Sequence, residues 1–437
     1  MPNRKTNFLF PTPVSPTEDL RNELIATLYH HYIEHLAAWY DLCEHERPFE
    51  TLVPTRALGV SVLFNAIIAF SAQHKALSDT RYEVCSTSYH SACVQGLLSG
   101  LSVFSPSLRE DYLVAACLLR SYEILNADSR QEQRHLLGAY QISSTEEIDM
   151  TRVGLLQAGA WNYLREEITV ALECRRLVRL NIRLNLRNAV SGPDSMHANT
   201  VTYILARVIN LCFGQDESGK ILEFNEDEWS SLNEELMLWR DNLPTTYAPY
   251  SQAPKPGNPF PSEWDLQPWH IAAAQYFLAA KTLLMLQNPN TQNHTNDVER
   301  LCGIAYTNEN RAARVNAFGP MAFSKLSYYR QEMEADSRQA EGFSRVQSNN
   351  KRSYNSFEAA VMRSGGRFIG LQKIWKLFGI ADYEKLVLQR RLPHWASVGE
   401  ALLWRQCPTP PVLPFVASIG EFITMCSGLR ESGNTYK

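Results

Sequence analysis

Residues 110–125 read EDYLVAACLLRSYEIL, and residues 154–180 read GLLQAGAWNYLREEITVALECRRLVRL. Neither stretch alternates with period two, and both are longer than an ordinary strand, so both predict buried helices. Glu110 and Asp111 sit where a helix N-terminus gathers positive charge. In the second stretch Trp161, Leu164, Ile168 and Leu172 fall on one helical face. A polar break at 127–133, ADSRQEQ, separates the first from a shorter helical pattern at 134–142, RHLLGAYQI.

The same period runs outward in both directions. Ser15-Pro16-Thr17-Glu18 is a helix start: Ser15 caps, Pro16 suits the first helical position, and Glu18 completes a capping box. Leu20, Leu24, Leu28, Tyr32, Leu36 and Tyr40 then mark a long apolar stripe. Pro54 is expected to open the next helix, which is apolar nearly all round at 58–73 (LGVSVLFNAIIAFSAQ), and 79–101 gives a third. Later helices are expected at 200–213, capped by Gly214, at 227–243, stopped by Pro244, and at 270–286. No strand pair, hairpin turn or fixed-period repeat is visible. The fold class is therefore all-α, a large domain of packed antiparallel helices. It is expected to span 17–319, after a flexible lead-in at 1–16. Residues 320–437 differ in character, and their polar stretch at 326–356 reads as disorder.

Composition narrows the function. Hydrophobic residues make up 45% of the 437, enough for a large core, and the formal charge is −4. A whole-chain basic field of the kind that holds DNA by neutralising phosphates is absent. No secretory leader is expected, because Pro11, Pro13 and Pro16 interrupt the N-terminal stretch. The most apolar run, 58–72, is too short to span a bilayer, so no membrane association is expected. The nine cysteines are odd in number and lie largely inside apolar helical runs, as reduced thiols in the nucleus or cytoplasm would.

Motifs for chemistry are scarce. His31 and His35 are four apart, with Cys43 and His45 nearby, but the metalloprotease pattern fails because Tyr32 follows His31. No metal site, cofactor or catalytic residue is expected, and the chain has no phosphate loop or nucleophile elbow. The informative residues are charges inside apolar helices: Arg120 with Glu123 three residues on, and Arg165 with Glu166. An acid/base site of Glu123, Glu166 and His135 is one reading. The preferred one is a structural ion network of Arg120, Glu123, Arg165 and Glu166 that sets how helices dock, because no nucleophile, metal set or oxyanion site accompanies it.

Those charged helices also carry a family resemblance. LVAACLLRSYEIL, RHLLGAYQI and GLLQAGAWNYLREEITVAL, in that order, resemble the fungal-specific transcription factor domain. The flanks agree: YHHYIEHLAAWYDLCEHERPFETLVP and VLFNAIIAFSAQH before, then WSSLNEELMLWRDNLPTTYAPY, WHIAAAQYFLAAKTLL and LCGIAYTNE after, so that the likeness covers 17–318. This domain is the helical regulatory region of fungal zinc-cluster activators. The six tightly spaced cysteines of the zinc cluster are not in this sequence, where Cys43 is the only cysteine among the first eighty residues. The resemblance implies a nuclear (or also cytoplasmic) non-enzyme that regulates a metabolic or secondary-metabolite gene set. It would act through protein partners, either a full-length zinc-cluster factor or a homodimer, without direct DNA contact. The alternative is a sensor that holds a small-molecule effector in an apolar inter-helix pocket, or an enzyme on this scaffold.

Overall fold

The computed structural model describes residues 12–101, 108–126, 133–144, 148–150, 152–180, 193–214, 225–256, 258, 260–287, 295–317 and 319–321. The expectations for most of the 1–16 lead-in, for the polar break at 127–132 and for all of 326–356 lie outside them. The described chain is all-α, and its one extended pairing is an isolated antiparallel bridge between Ser251 and Trp264. It divides into two compact units, residues 12–35 with 52–144 and residues 36–51 with 148–321, so the 17–319 span contains both.

The first unit begins with α1 (Pro16–Asp19) and α2 (Glu23–His31). Ser15 accepts the N–H of Glu18, as the capping pattern predicts. The single long helix expected from Ser15 is nevertheless broken. Asn22 accepts the N–H groups of Leu24 and Ile25, and this second N-cap ends α1 after one turn and restarts the helix. After His31 the chain widens into a π turn, Tyr32–Leu36, and then tightens into a 3-10 turn, Ala37–Trp39.

Helix α3 (Pro48–Ala57) corrects a second expectation: Pro48 opens it, and Pro54 lies inside it. Asp41 makes that start possible by accepting the N–H groups of Phe49 and Glu50 at 3.0 and 2.8 Å. The following helix, α4 (Ser61–Ala76), starts after Val60 and buries ten of its sixteen residues. It packs against α2, α5 (Glu83–Leu101) and α6 (Arg109–Leu125), and α6 packs against α7 (Arg134–Ser143).

The second unit contains α8 (Leu155–Cys174), α9 (Asp194–Phe213), α10 (Glu226–Asp241), α11 (Pro268–Gln287), α12 (Thr295–Thr307) and α13 (Arg311–Asn316). Its centre is α11 against α9 and α12, with α8 on α9 and α13. Of the apolar stripe that the sequence places on α10 at Trp229, Leu232, Leu236 and Trp239, the last three are buried and Trp229 is half-buried, and the Trp239 indole N–H donates to the His197 carbonyl at 2.9 Å. Gly214 does follow α9, but with φ −57, so no left-handed cap forms there.

Helix α8 also ends earlier than its apolar pattern suggests. Arg175 turns left-handed (φ 50), and residues 176–180 leave the helix. They have partners of their own: the Asn210 side chain accepts the Val178 N–H at 2.7 Å and donates to the Val178 carbonyl at 3.2 Å. One side-chain amide thus supplies what a neighbouring strand would.

Candidate functional site

In the first unit, α6 holds both ends of α7. Near the start of α6, the buried Arg109 guanidinium donates to the carbonyls of Ile142 and Ser143 at 3.2 and 2.9 Å, at the C-terminus of α7. Near the end of α6, the Glu123 carboxylate accepts the Arg134 N–H at 2.8 Å, at the N-terminus of α7. A cation thus meets the carbonyl end and an anion the amide end, the arrangement that the helix dipole favours. It also makes the two helices antiparallel. Arg120 donates to Glu123 at 2.9 Å, and both side chains are almost fully buried. The charges at the start of α6 are used as well, since Arg56 donates to Glu110 at 2.5 Å and to Asp111 at 2.8 Å.

Beside this frame, His90 and His135 face each other through their Nε2 atoms at 2.9 Å, and His90 stacks on Tyr122 with ring centroids 4.3 Å apart. One ring must donate and the other accept, so at least the accepting imidazole must be neutral, and the two rings cannot both be protonated. Burial lowers His90 from 6.5 to about 4, and burial, then the proximity of His90, lowers His135 well below 6.5. Between pH 6.5 and about 4 the unfolded chain therefore binds more protons than the fold. Stability is fully present above pH 6.5 and falls as pH drops through that window, by up to about 1.4 kcal/mol per pH unit for each ring. Hydrogen exchange of α5 and α7 amides should accelerate over that range, beyond its intrinsic pH dependence, and His135→Phe should flatten the trend.

The second unit places Arg165, the other predicted cation, at 1% exposure in the middle of α8. Its Nη1 donates to the Asn199 side-chain oxygen on α9 at 3.2 Å. Cys43, Glu44 and Tyr276 of α11 lie within its electrostatic reach. The half-buried Glu166 follows it, but the fully buried carboxylate is its neighbour Glu167. Glu167 receives Arg176 at 2.5 and 3.0 Å and the Arg179 N–H at 3.0 Å. The pairs Arg120–Glu123 and Arg165–Glu166 fall in different units.

Several polar groups had no signal in the sequence. Asp194, in the first turn of α9, accepts from Thr246 at 2.9 Å and Trp269 at 3.1 Å and faces His270 Nε2 at 2.7 Å. Its carboxyl is held below the usual range; burial opposes that shift, and these partners outweigh it. A surface cleft of about 280 Å³ is lined by Trp264, Asp265, Leu266, Ile271, Asn308 and Glu309. Burial, then the charge of Glu263, raises Asp265 there to about 6. His31 lies 3.1 Å from His74, yet among the described residues no three metal-capable side chains converge.

Comparison with known families meets the charged helices of the first unit. Residues 27–155 match the fungal specific transcription factor domain. The match is narrower than the 17–318 read from the sequence, and it agrees with that reading in kind. No curated protein and no solved structure matches the chain. The matched transcription factor domain includes Arg109, Arg120, Glu123, His90 and His135, and it stops at the first residue of α8. Arg165, Glu167 and Asp194 lie beyond it. Among the described residues no single helix is long and apolar enough to cross a membrane.

Proposed function

We propose that this protein is a transcription regulator of fungal type that acts in the nucleus through protein partners. The partner is a full-length zinc-cluster factor or a second copy of this chain, and the targets are a metabolic or secondary-metabolite gene set. The observation that carries the reading is the transcription factor domain match over 27–155. Two further features support it. The chain has a formal charge of −4, which suits recruitment by a DNA-bound partner better than phosphate neutralisation. Arg109 and Glu123 of α6 hold the two ends of α7, a scaffolding use.

The same assignments favour a non-enzyme. Glu123 is engaged by Arg120 and the α7 backbone, His135 by His90, and Glu166 belongs to the other unit. Tethering the full chain to a heterologous DNA-binding domain in a fungal cell tests the role, with a reporter gene as readout.

A further inference from the structure

The surface cleft of the second unit has a rigid rim and an unused face. Tyr250 donates its N–H to the Trp264 carbonyl, and Trp264 donates its N–H to the Ser251 carbonyl, both at 2.9 Å. Asn308 fixes the same edge: its side chain accepts the Asp265 N–H at 3.3 Å and donates to the Glu263 carbonyl at 3.0 Å. On this rim apolar side chains are left to solvent, with Tyr250 61% and Leu266 56% exposed. Among the described residues neither the Tyr250 hydroxyl nor the Gln267 side-chain amide, both on the cleft, has a hydrogen-bond partner.

The carboxylates beside the cleft are answered unevenly. Glu309 is paired with Lys255 at 2.9 Å, and Arg300 spends its donors on Glu263. Asp265 makes no ion pair among the described residues; its carboxylate meets the Asn308 amide at 3.4 Å, and Arg300 acts on it through space. Exposed aromatic and apolar walls, free donors and an unpaired carboxylate suit a polyproline II segment with a basic flank. Proline rings pack on aromatic surface, and the carbonyls of that helix have no internal partner. Because the segment is already extended and stiff, docking costs it little entropy.

The chain carries such a segment. Residues 405–414, which lie outside the described residues, read RQCPTPPVLP. Arg405, Pro408, Pro411 and Pro414 are spaced by three, so all four fall on one face of a helix with three residues per turn. Arg405 is the only charge in the segment, and it complements Asp265.

We propose that the cleft is the docking site for residues 405–414 of a second copy of this chain, with prolines against Tyr250 and Leu266 and Arg405 against Asp265. Reciprocal exchange between two copies fills both clefts and closes a two-fold dimer. The proposal concerns self-association of the purified chain, so it and the transcriptional reading can fail separately.

The test has two arms, both on the full chain under reducing conditions. Sedimentation equilibrium reads association. The natural chain should be a dimer, and Tyr250→Ser and the triple variant Pro408→Ala/Pro411→Ala/Pro414→Ala should each be monomers. Mixed in equal amounts, these two variants should pair, because one keeps the segment and the other keeps the cleft. The second arm is fluorescence anisotropy of a labelled peptide of residues 405–414 bearing Cys407→Ser. It should bind the triple variant, whose cleft is vacant, and bind the same variant with Tyr250→Ser added about tenfold or more weakly. Asp265→Asn should weaken the peptide several-fold, and should have no effect on a peptide bearing Arg405→Gln. If Tyr250→Ser does not fold, the Asp265→Asn cycle decides. A monomeric natural chain that excludes the peptide would mean that its own segment fills the cleft, and would overturn the second-copy assignment. A natural chain that binds the peptide as well as the triple variant does would show that residues 405–414 are not the occupant. No binding to the triple variant, or equal binding after Tyr250→Ser, would remove the site.

Discussion

Glu123→Leu is expected to destabilise the first unit by about 3–5 kcal/mol, the loss typical when one partner of a buried ion pair is removed. Two things go at once. Arg120, 6% exposed, loses the carboxylate 2.9 Å away. The first N–H of α7 loses the same carboxylate as its cap. The double variant Arg120→Met/Glu123→Leu should recover most of the loss, because a well-packed apolar pair of similar volume is often as stable as the ion pair. The cycle is measured by hydrogen exchange of α6 and α7 amides, with Arg120→Met as its other single variant. If the double variant is as unstable as the sum of the singles, the two side chains are not coupled and the scaffolding account of α6 is wrong.

Glu167→Leu is expected to cost a similar amount in the second unit, again about 3–5 kcal/mol. Its carboxylate is 0% exposed and receives two bonds from Arg176 and one from the Arg179 backbone. Those contacts hold 176–180 after the left-handed turn at Arg175. Residues 176–180 should therefore become the first site of cleavage by trypsin, at Arg176 or Arg179, under conditions where the natural chain resists. Glu166→Leu serves as the control, since Glu166 is half-buried and is not the carboxylate that receives Arg176. Equal effects from the two variants would contradict the assignment.

The helices themselves were legible in the sequence because apolar periodicity is a local property. The Arg120–Glu123 pair was legible for the same reason, as a spacing of three already places the two on one helix face. Arg109 was not, because its partners are backbone carbonyls more than thirty residues on, and no side-chain pattern marks them. Glu167 had a signal that went unread. Ala160, Tyr163, Leu164 and Ala171 surround it at helical spacings of seven, four, three and four, and all are buried. Two adjacent glutamates look alike in a string, and only the wheel separates them.

Where the sequence misled, local rules met a non-local competitor. Asn22 restarts a helix that Ser15 had already capped. Asp41 caps α3 from eight residues away and so moves its start to Pro48, leaving Pro54 inside. Arg175 turns left-handed while the apolar pattern continues, and Asn210 then occupies the backbone of Val178. Each is a side chain reaching a backbone group, which periodicity does not encode.

The central claim is that the protein regulates transcription through its helical region. The direct measurement is reporter output in a fungal cell that carries the full chain fused to a heterologous DNA-binding domain. The fusion should change output several-fold, up or down, and Glu123→Leu, which disrupts the matched domain, should abolish the change. Reporter output that stays at the level of the DNA-binding domain alone, with the fusion folded and present in the nucleus, would contradict the account.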